Sequence, residues 1–260
     1  MKTLLLLVTL ILSVMSPFSR ADTLVLTLGE YPPLDSKNLP HLGLVPRIVS
    51  EAFGLEGITV EYKFLPWARA YADSKEGNVN GTLQWLHSEE RAKDHYYSDA
   101  IMEESNVWFH LQDTAFSWDT FKDLKGKLIG ARIGFTYSPE FYQALEDGLF
   151  KAIFLETNLQ NLKMLYSRRV DVFIENLDVG YYGAHQFSDD NKIELITHHA
   201  KPIFVNTSHL LLSKKHLKSR YYLQKFNQGL QRLKASGRYQ QFIDESRQLD
   251  AANDDAASES

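Results

Sequence analysis

A short glycine-opened segment, Gly134–Tyr137, has the residue types best suited to binding an anion. The apolar run Leu128–Ile133 before it predicts a buried strand, and Pro139–Glu146 after it predicts a helix. A loop that opens a helix presents backbone N–H groups, and such groups bind anions. The Thr136 hydroxyl adds a donor to this loop, caps the helix, or does both. The sequence therefore predicts an anion-binding loop at Gly134–Tyr137.

Arg91 is the second candidate for anion binding. It follows Ser88, which is a plausible N-cap of a short helix. A guanidinium group in that setting can hold a carboxylate through two parallel hydrogen bonds. The alternative is a surface arginine that pairs with Glu90 or Asp94. We interpret Arg91 and the Gly134–Tyr137 loop as facing each other across a cleft, where both contact one carboxylate.

Strand and helix signals alternate along the chain, and these elements must position Arg91 and the loop. Short apolar or alternating runs predict strands at Leu24–Leu28, Val60–Phe64, Thr82–Leu83, Leu128–Ile133, Ile153–Phe154, Val170–Ile174 and His209–Ser213. Helices are predicted from Pro46, from Trp67 to Gly77, at Pro139–Glu146, at Leu159–Tyr166, and around Leu223–Leu233. This alternation predicts an α/β fold with a mostly parallel sheet.

The first residues predict a cleaved export signal. Lys2 gives a positive start, Leu4–Val14 is apolar, and Ser19–Ala21 offers small residues to the signal peptidase. A retained membrane anchor is the alternative, but the apolar run is too short to span a bilayer comfortably. We expect cleavage after Ala21 and an exported mature protein.

Composition and missing motifs argue against several functional classes. Without residues 1–21 the chain keeps 26 basic and 33 acidic residues, because only Lys2 and Arg20 are lost. The resulting net charge of −7 argues against nucleic acid or an anionic membrane as the main partner. There is no cysteine, no Walker loop, no Gly-x-Ser-x-Gly elbow and no metal-ligand spacing among the histidines. We therefore predict no catalytic residue, no metal and no cofactor, and binding is the simplest function.

Ordered landmarks between residues 24 and 245 resemble the family 3 periplasmic solute-binding proteins, the polar amino acid class that serves bacterial ABC importers. The landmarks are Gly29–Leu34, Pro66–Ala70, Gly77–Gly81, Ser88–Asp99, Leu124–Thr136 and Arg169–Val172. Their order and spacing carry the resemblance, which covers nearly the whole mature chain.

The resemblance implies the type II periplasmic binding protein fold. In this α/β fold, two lobes with mixed or parallel sheets and flanking helices are joined by two hinge strands, here placed near Phe109–Asp113 and Pro202–Thr207. The expected domains are a signal peptide (1–21), the N-terminal part of lobe 1 (22–110), lobe 2 (111–204), the C-terminal return of lobe 1 (205–249) and a disordered acidic tail (250–260).

The implied function is capture of a small carboxylate-bearing solute, an amino acid or an analogue, by closure of the two lobes. We expect a periplasmic monomer that docks on a membrane ABC permease. A membrane sensor is the alternative partner. An enzyme resembling cyclohexadienyl dehydratase is the alternative function, and Glu175 is its candidate general acid or base.

The resemblance also implies ligand contacts. Tyr31 and Trp67 match positions where the family places aromatic rings, which attract an ammonium group, although both rings could instead be core. Trp85 and His87 flank a strand end that offers backbone hydrogen bonds, and Tyr137 could close over the pocket. The complete expected ligand-binding set is Tyr31, Trp67, Trp85, His87, Arg91, Thr136, Tyr137 and Asn176.

Asn176 marks a departure from the family pattern. Amino acid binders usually carry an aspartate there, which pairs with the α-ammonium group of the ligand. An amide leaves that charge without a counter-charge, at a cost on the order of several kcal/mol. Either Glu175 or Asp178 supplies the carboxylate, or the ligand lacks a standard α-amino group. The aspartate of the first-lobe pattern is also absent, because Gly43–Arg47 stands there.

Overall fold

The computed structural model describes residues 23–187 and 193–246. The expected signal peptide and the expected acidic tail lie outside the described residues. Within the described part, no helix has the length and apolar character needed to cross a membrane.

Ten strands of the described chain form one continuous sheet. They are β1 (Thr23–Leu28), β2 (Thr59–Phe64), β3 (Gly81–Leu86), β4 (His95–Tyr97), β5 (Met102–Leu111), β6 (Leu128–Arg132), β7 (Lys151–Leu155), β8 (Val172–Asn176), β9 (Ile196–His198) and β10 (Phe204–Ser213). The strand order is β2-β1-β3-β10-β5-β8-β6-β7, with β4 beside β10 and β9 beside β5. Each strand predicted from the sequence is confirmed, with bounds that differ by a few residues.

The helices cover the faces of this sheet. They are α1 (Leu44–Gly54), α2 (Trp67–Glu76), α3 (Glu89–Asp94), α4 (Pro139–Glu146), α5 (Asn158–Tyr166), α6 (Leu177–Phe187) and α7 (Ser219–Ala235), and residues 238–246 are also helical. Short 3-10 turns lie at Pro40–Leu42, Phe121–Leu124 and Ile193–Leu195. The predicted helix at Pro139–Glu146 is confirmed to the residue.

Three apolar cores divide these elements into two lobes. The first core contains residues of β1, α1 and α7. The second and third cores lie on opposite faces of the sheet around β5, β6 and β8, because Trp108 belongs to one core while its neighbours Val107 and Phe109 belong to the other. The two-lobed α/β architecture expected from the sequence is therefore present.

The sheet is mixed, one of the two forms that the resemblance implies, whereas the mostly parallel sheet inferred from the alternation of strand and helix signals is not observed. β1 pairs in parallel with β2 and β3, and β6 pairs in parallel with β7 and β8. Every antiparallel ladder involves β5 or β10. Both strands have ten residues, and they pair with each other along one half of their length. The other half of β5 pairs with β8 and β9, whereas the other half of β10 pairs with β3 and β4. These two strands join the lobes, and their shared ladder makes one sheet out of the expected two.

Candidate functional site

A cleft of about 450 Å³ lies between the two lobes and the crossing strands. The first lobe lines it with residues of α2, β3 and α3, and the second lobe lines it with the loop between β6 and α4. The crossing strands β5 and β10 contribute its remaining wall. The lining residues are Tyr31, Trp67, Ala68, Tyr71, Gln84, Trp85, Leu86, Ser88, Glu90, Arg91, Glu104, Asn106, Ile133, Gly134, Phe135, Thr136, Tyr137 and Phe204.

A second cavity of about 470 Å³ lies on the other face of β5. Glu103 lines this second cavity and Glu104 lines the cleft, since successive strand residues point to opposite faces. The second cavity contains none of the residues expected to bind a ligand, whereas the cleft contains six of the eight. We therefore assign the candidate site to the cleft.

Arg91 enters the cleft from α3. Its guanidinium group lies 4.7 Å from the ring centroid of Trp85 and 5.9 Å from that of Tyr71, and it donates to the Leu86 carbonyl over 3.3 Å. Among the described residues, no carboxylate lies within ion-pair distance of it. The alternative partner Asp94 pairs with Lys75 at 3.0 Å. The guanidinium group is therefore available to an anion in the cleft.

Ser88 stands at the N-cap position of α3, but its side chain makes no capping hydrogen bond. Its backbone N–H instead donates to the Tyr97 hydroxyl over 3.2 Å. His87 lies outside the cleft lining: its ring is exposed, 4.0 Å from Glu89, and packs against the Tyr97 ring at 4.9 Å. His87 follows the last residue of β3 and is not among the residues that line the cleft, so its contact with a ligand stays a prediction.

The aromatic wall of the cleft depends on close packing. The Trp67 and Trp85 rings meet edge to face at 5.5 Å, and the Trp85 indole N–H donates to the Thr82 hydroxyl over 2.9 Å. Gly29 leaves the space for the Trp67 ring, because a Cβ atom at Gly29 would lie 2.3 Å from it. The wall is thus held in place by contacts other than those to a ligand.

The Gly134–Tyr137 loop faces the cleft from the second lobe. Gly134 has a φ of +79°, a value that favours glycine. Within the described residues, the backbone N–H groups of Gly134, Phe135 and Thr136 have no hydrogen-bond partner. Ser138 caps α4 by accepting from the Phe141 N–H over 3.2 Å, so the Thr136 hydroxyl is not the helix cap. The loop therefore presents free donors, as an anion site requires.

Tyr137 lines the cleft and packs into the core of the second lobe. Its hydroxyl accepts from the Arg132 N–H over 2.7 Å, and its ring packs on Phe141 at 4.8 Å. Burial raises the pKa of the Tyr137 hydroxyl above its usual value. These contacts hold the side chain in the second-lobe core and anchor the loop, and closure of Tyr137 over a ligand stays a prediction.

Tyr31 links the two lobes at the floor of the cleft. Its hydroxyl donates to Glu175 over 3.1 Å, and Arg132 lies 3.4 Å from the other carboxylate oxygen of Glu175. Its ring packs against Phe135 at 5.5 Å. Burial raises the pKa of Glu175, while the neighbouring Arg132 lowers it. Glu175 is 2% exposed and is not part of the cleft lining, which places the candidate general acid or base behind Tyr31.

Asn176 is a helix cap and does not line the cleft. Its side-chain oxygen accepts from the Asp178 N–H over 2.9 Å and from the Val179 N–H over 3.2 Å. Asp178 lines the second cavity. The contact between Asn176 and a ligand stays a prediction, and neither of the two alternative carboxylates, Glu175 and Asp178, lines the cleft.

Glu104 is the acidic group that the sequence reasoning missed. It lies on β5, is 6% exposed, lines the cleft, and accepts from the Gln84 side chain over 2.7 Å. Burial raises the pKa of Glu104 to about 7; the Ser208 hydroxyl opposes that rise and the Glu175 carboxylate adds to it. A charged residue inside an otherwise buried strand was the available sequence signal, because such residues are rare unless they serve a site.

The described residues contain no cluster of three histidine, cysteine or acidic side chains that could hold a metal ion.

No protein-family model matches the sequence, and no curated protein matches it either. The similarities that do exist are to solved structures.

An ancestral arginine-binding protein bound to arginine is similar with a TM-score of 0.70 and 20% identity, over 86% of this chain and 97% of the other. A second similar structure is AbpA from Streptococcus pneumoniae, the substrate-binding protein of an amino acid ABC transporter, bound to L-arginine. Its TM-score is 0.69 and its identity 17%, over 88% of this chain and 95% of the other. An ancestral amino acid-binding protein, a precursor of cyclohexadienyl dehydratase, has a TM-score of 0.64 and 19% identity, over 85% of this chain and 94% of the other. The chain therefore has the two-lobed α/β fold of the amino acid substrate-binding proteins of ABC transporters.

Proposed function

We propose that the protein captures a small carboxylate-bearing solute, an amino acid or an analogue, in the cleft between its lobes. The observation that carries this proposal is the Arg91 guanidinium group, which lines the cleft without a carboxylate partner among the described residues. The free N–H groups of the Gly134–Tyr137 loop line the same cleft from the other lobe. A carboxylate held by both would draw the lobes together, which is capture by domain closure.

The structural relatives support solute binding, since two of those named above hold arginine in the same fold. In this proposal the protein works as a periplasmic monomer, and its closed form docks on an ABC permease. A membrane sensor is the other partner considered. The lobe bounds proposed for this closure are residues 22–110 and 205–249 for lobe 1 and 111–204 for lobe 2.

The test is a thermal-shift screen of residues 22–260 against amino acids, amines, dicarboxylates and small peptides. A solute at about 100 times its Kd should add roughly 2.7 kcal/mol to the free energy of unfolding. Arg91→Ala should abolish this stabilisation and leave the free protein folded. Arg220→Ala, at an exposed arginine outside the cleft, is the matched control and should keep it. Retained stabilisation in Arg91→Ala would refute the carboxylate clamp.

One observation keeps an enzymatic function as the second candidate. Glu104 lines the cleft with a pKa near 7, which suits a general acid or base. A dehydratase of the cyclohexadienyl type would convert prephenate or arogenate, and this conversion is followed by absorbance. Turnover that is lost in Glu104→Gln would establish the enzyme, and unchanged substrates would leave binding as the function.

A further inference from the structure

We propose that the captured solute also carries a positively charged group, an ammonium or guanidinium, and that Glu104 on β5 is its counter-charge. This inference rests on the proposed function, because it assigns the second end of the solute whose carboxylate Arg91 would hold. It moves the recognition of the cation from the position of Asn176, at the end of β8, to the crossing strand.

The charge around Glu104 is the first argument. Glu104 has no basic partner within ion-pair distance among the described residues. The charged side chains that face it are the carboxylates of Glu175, Asp178 and Asp35, and the neutral phenol of Tyr31 lies beside them. Arg132, the nearby cation, is bound to Glu175 and to the face of the Phe135 ring, 4.4 Å from its centroid. The Gln84 amide donates a hydrogen bond to Glu104 but carries no positive charge, so uptake of a proton or of an external cation is what would offset the buried negative charge.

The cleft can deliver that cation to Glu104. Glu104 and Asn106 lie two residues apart on β5, so their side chains point to the same face, and both line the cleft. The Asn106 side-chain carbonyl offers a further acceptor for an N–H group. Aromatic rings of Tyr31, Trp67 and Trp85 line the approach, and the faces of such rings attract cations.

The alternative carboxylates are already engaged elsewhere. Glu175 accepts from the Tyr31 hydroxyl, from Arg132 and from the Asn176 N–H. Asp178 lines the cavity on the other face of β5. Of the acids near this end of the cleft, Glu104 is the one that the cleft itself exposes.

Binding of a cation should depend on pH, because the proton and the cation compete for one carboxylate. With a pKa of Glu104 near 7, protonation at pH 6 should weaken binding of a cationic solute about tenfold relative to pH 8. An ammonium or guanidinium group keeps its own charge across this range. A variant with glutamine at position 104 should lose the dependence.

The experiment uses matched pairs of carboxylates with and without a cationic group: alanine and propionate, 4-aminobutyrate and butyrate, arginine and pentanoate, glycine betaine and 3,3-dimethylbutyrate. Each is screened by thermal shift against the wild type, Glu104→Gln and the control Glu103→Gln, whose exposed side chain faces the second cavity. Any compound that stabilises the protein is then titrated by calorimetry at pH 6 and pH 8. Circular dichroism verifies that each variant is folded.

We expect stabilisation only by members that carry the cation, at least a tenfold loss of affinity in Glu104→Gln, and no loss in Glu103→Gln. Stabilisation to the same extent by the carboxylates that lack the cationic group would overturn this inference while leaving the proposed capture of carboxylates intact. Cationic members that bind Glu104→Gln as tightly as the wild type would also overturn it. Stabilisation by no member, together with a negative result in the wider screen of amino acids, dicarboxylates and small peptides, would refute the proposed function and this inference with it. Should Glu104→Gln fail to fold, the pH dependence of the wild type decides: a constant affinity between pH 6 and pH 8 overturns the proposal.

Discussion

At the scale of single residues, the placement of each charge decides its role. Glu103 and Glu104 are adjacent in sequence, yet they line different cavities on the two faces of β5. Arg91 lies on the Trp85 ring and not against Asp94, because Asp94 pairs with Lys75. Glu175 is held by Tyr31 and is withdrawn from the cleft. The ligand-facing charges of the cleft are therefore a small subset of the charges near it.

Replacing Tyr31 by phenylalanine tests the link between the lobes. The change removes the hydroxyl that donates to Glu175 over 3.1 Å and leaves that buried carboxylate with one donor fewer. We expect the free energy of unfolding in urea to fall by about 1–3 kcal/mol, the usual cost of an unsatisfied buried group. Tyr221→Phe, at an exposed tyrosine, is the control. Equal stability of Tyr31→Phe and the wild type would show that this hydrogen bond contributes nothing.

At the scale of elements, the loop between β6 and α4 combines a turn and a ligand surface. Gly134 takes a left-handed backbone conformation, and the N–H groups of Gly134, Phe135 and Thr136, which line the cleft, have no partner among the described residues. Ser138 caps the helix that follows, so the loop donors remain available. Asn176 caps α6, because its side-chain oxygen accepts from the Asp178 N–H. An amide oxygen is sufficient for this role, so the cap does not require a carboxylate.

Gly134→Ala tests the loop, and Gly126→Ala is its matched control. The two glycines have φ values of +79° and +78°, and a Cβ atom would meet open space at both. Each alanine should therefore cost about 1 kcal/mol of stability through the left-handed conformation. Only Gly134→Ala should also weaken binding of the solute found in the screen, because only this loop lines the cleft. Equal affinities of the two variants, measured by calorimetry, would remove the loop from the site.

At the scale of the whole molecule, acids accumulate where the lobes meet. Asp35 and Glu175 are buried beside the crossing strands with Glu104, and burial raises the pKa of all three. In each case the folded chain favours the protonated acid more than the unfolded chain does. Desolvation of these acids and repulsion between their charges therefore lower the free energy of unfolding of the ligand-free protein at neutral pH.

The stability of the ligand-free protein should rise as pH falls from 8 to 6.5. The pKa of Glu104 is about 7 in the folded chain against its usual 4.5, so the penalty for ionising it is full above pH 7 and absent below pH 4.5. Between pH 8 and 6.5 the relief is about 1 kcal/mol, or roughly 2–4 °C in Tm by calorimetry. Below pH 6.5 the lowered pKa of His95 acts in the opposite direction. Glu104→Gln should flatten the rise, and a Tm that is constant or lower at pH 6.5 in the wild type would contradict it.

Most of the fold could be predicted from local sequence. The periodicity of apolar residues predicted α1, α4 and α7, and short apolar runs predicted β1, β6 and β8. These elements are predictable because burial in the core requires apolar residues at a spacing that is visible in the sequence. The direction of the strands could not be predicted, since it depends on which strands pair. β5 and β10 are separated by about 100 residues of sequence, and their antiparallel pairing makes the sheet mixed.

The sequence by itself determined the α/β class and the positions of the Gly134–Tyr137 loop and Arg91 as candidates for anion binding, because these depend on local spacing and residue type. The two lobes followed from the family resemblance. Only the tertiary structure brought six of the expected residues into one cleft, and it excluded His87 and Asn176 from its lining. It also placed Glu104 in that cleft. The physical reason is that burial and charge pairing depend on strands distant in sequence: Gln84 on β3 and Glu104 on β5 become neighbours only when β10 is inserted between these strands.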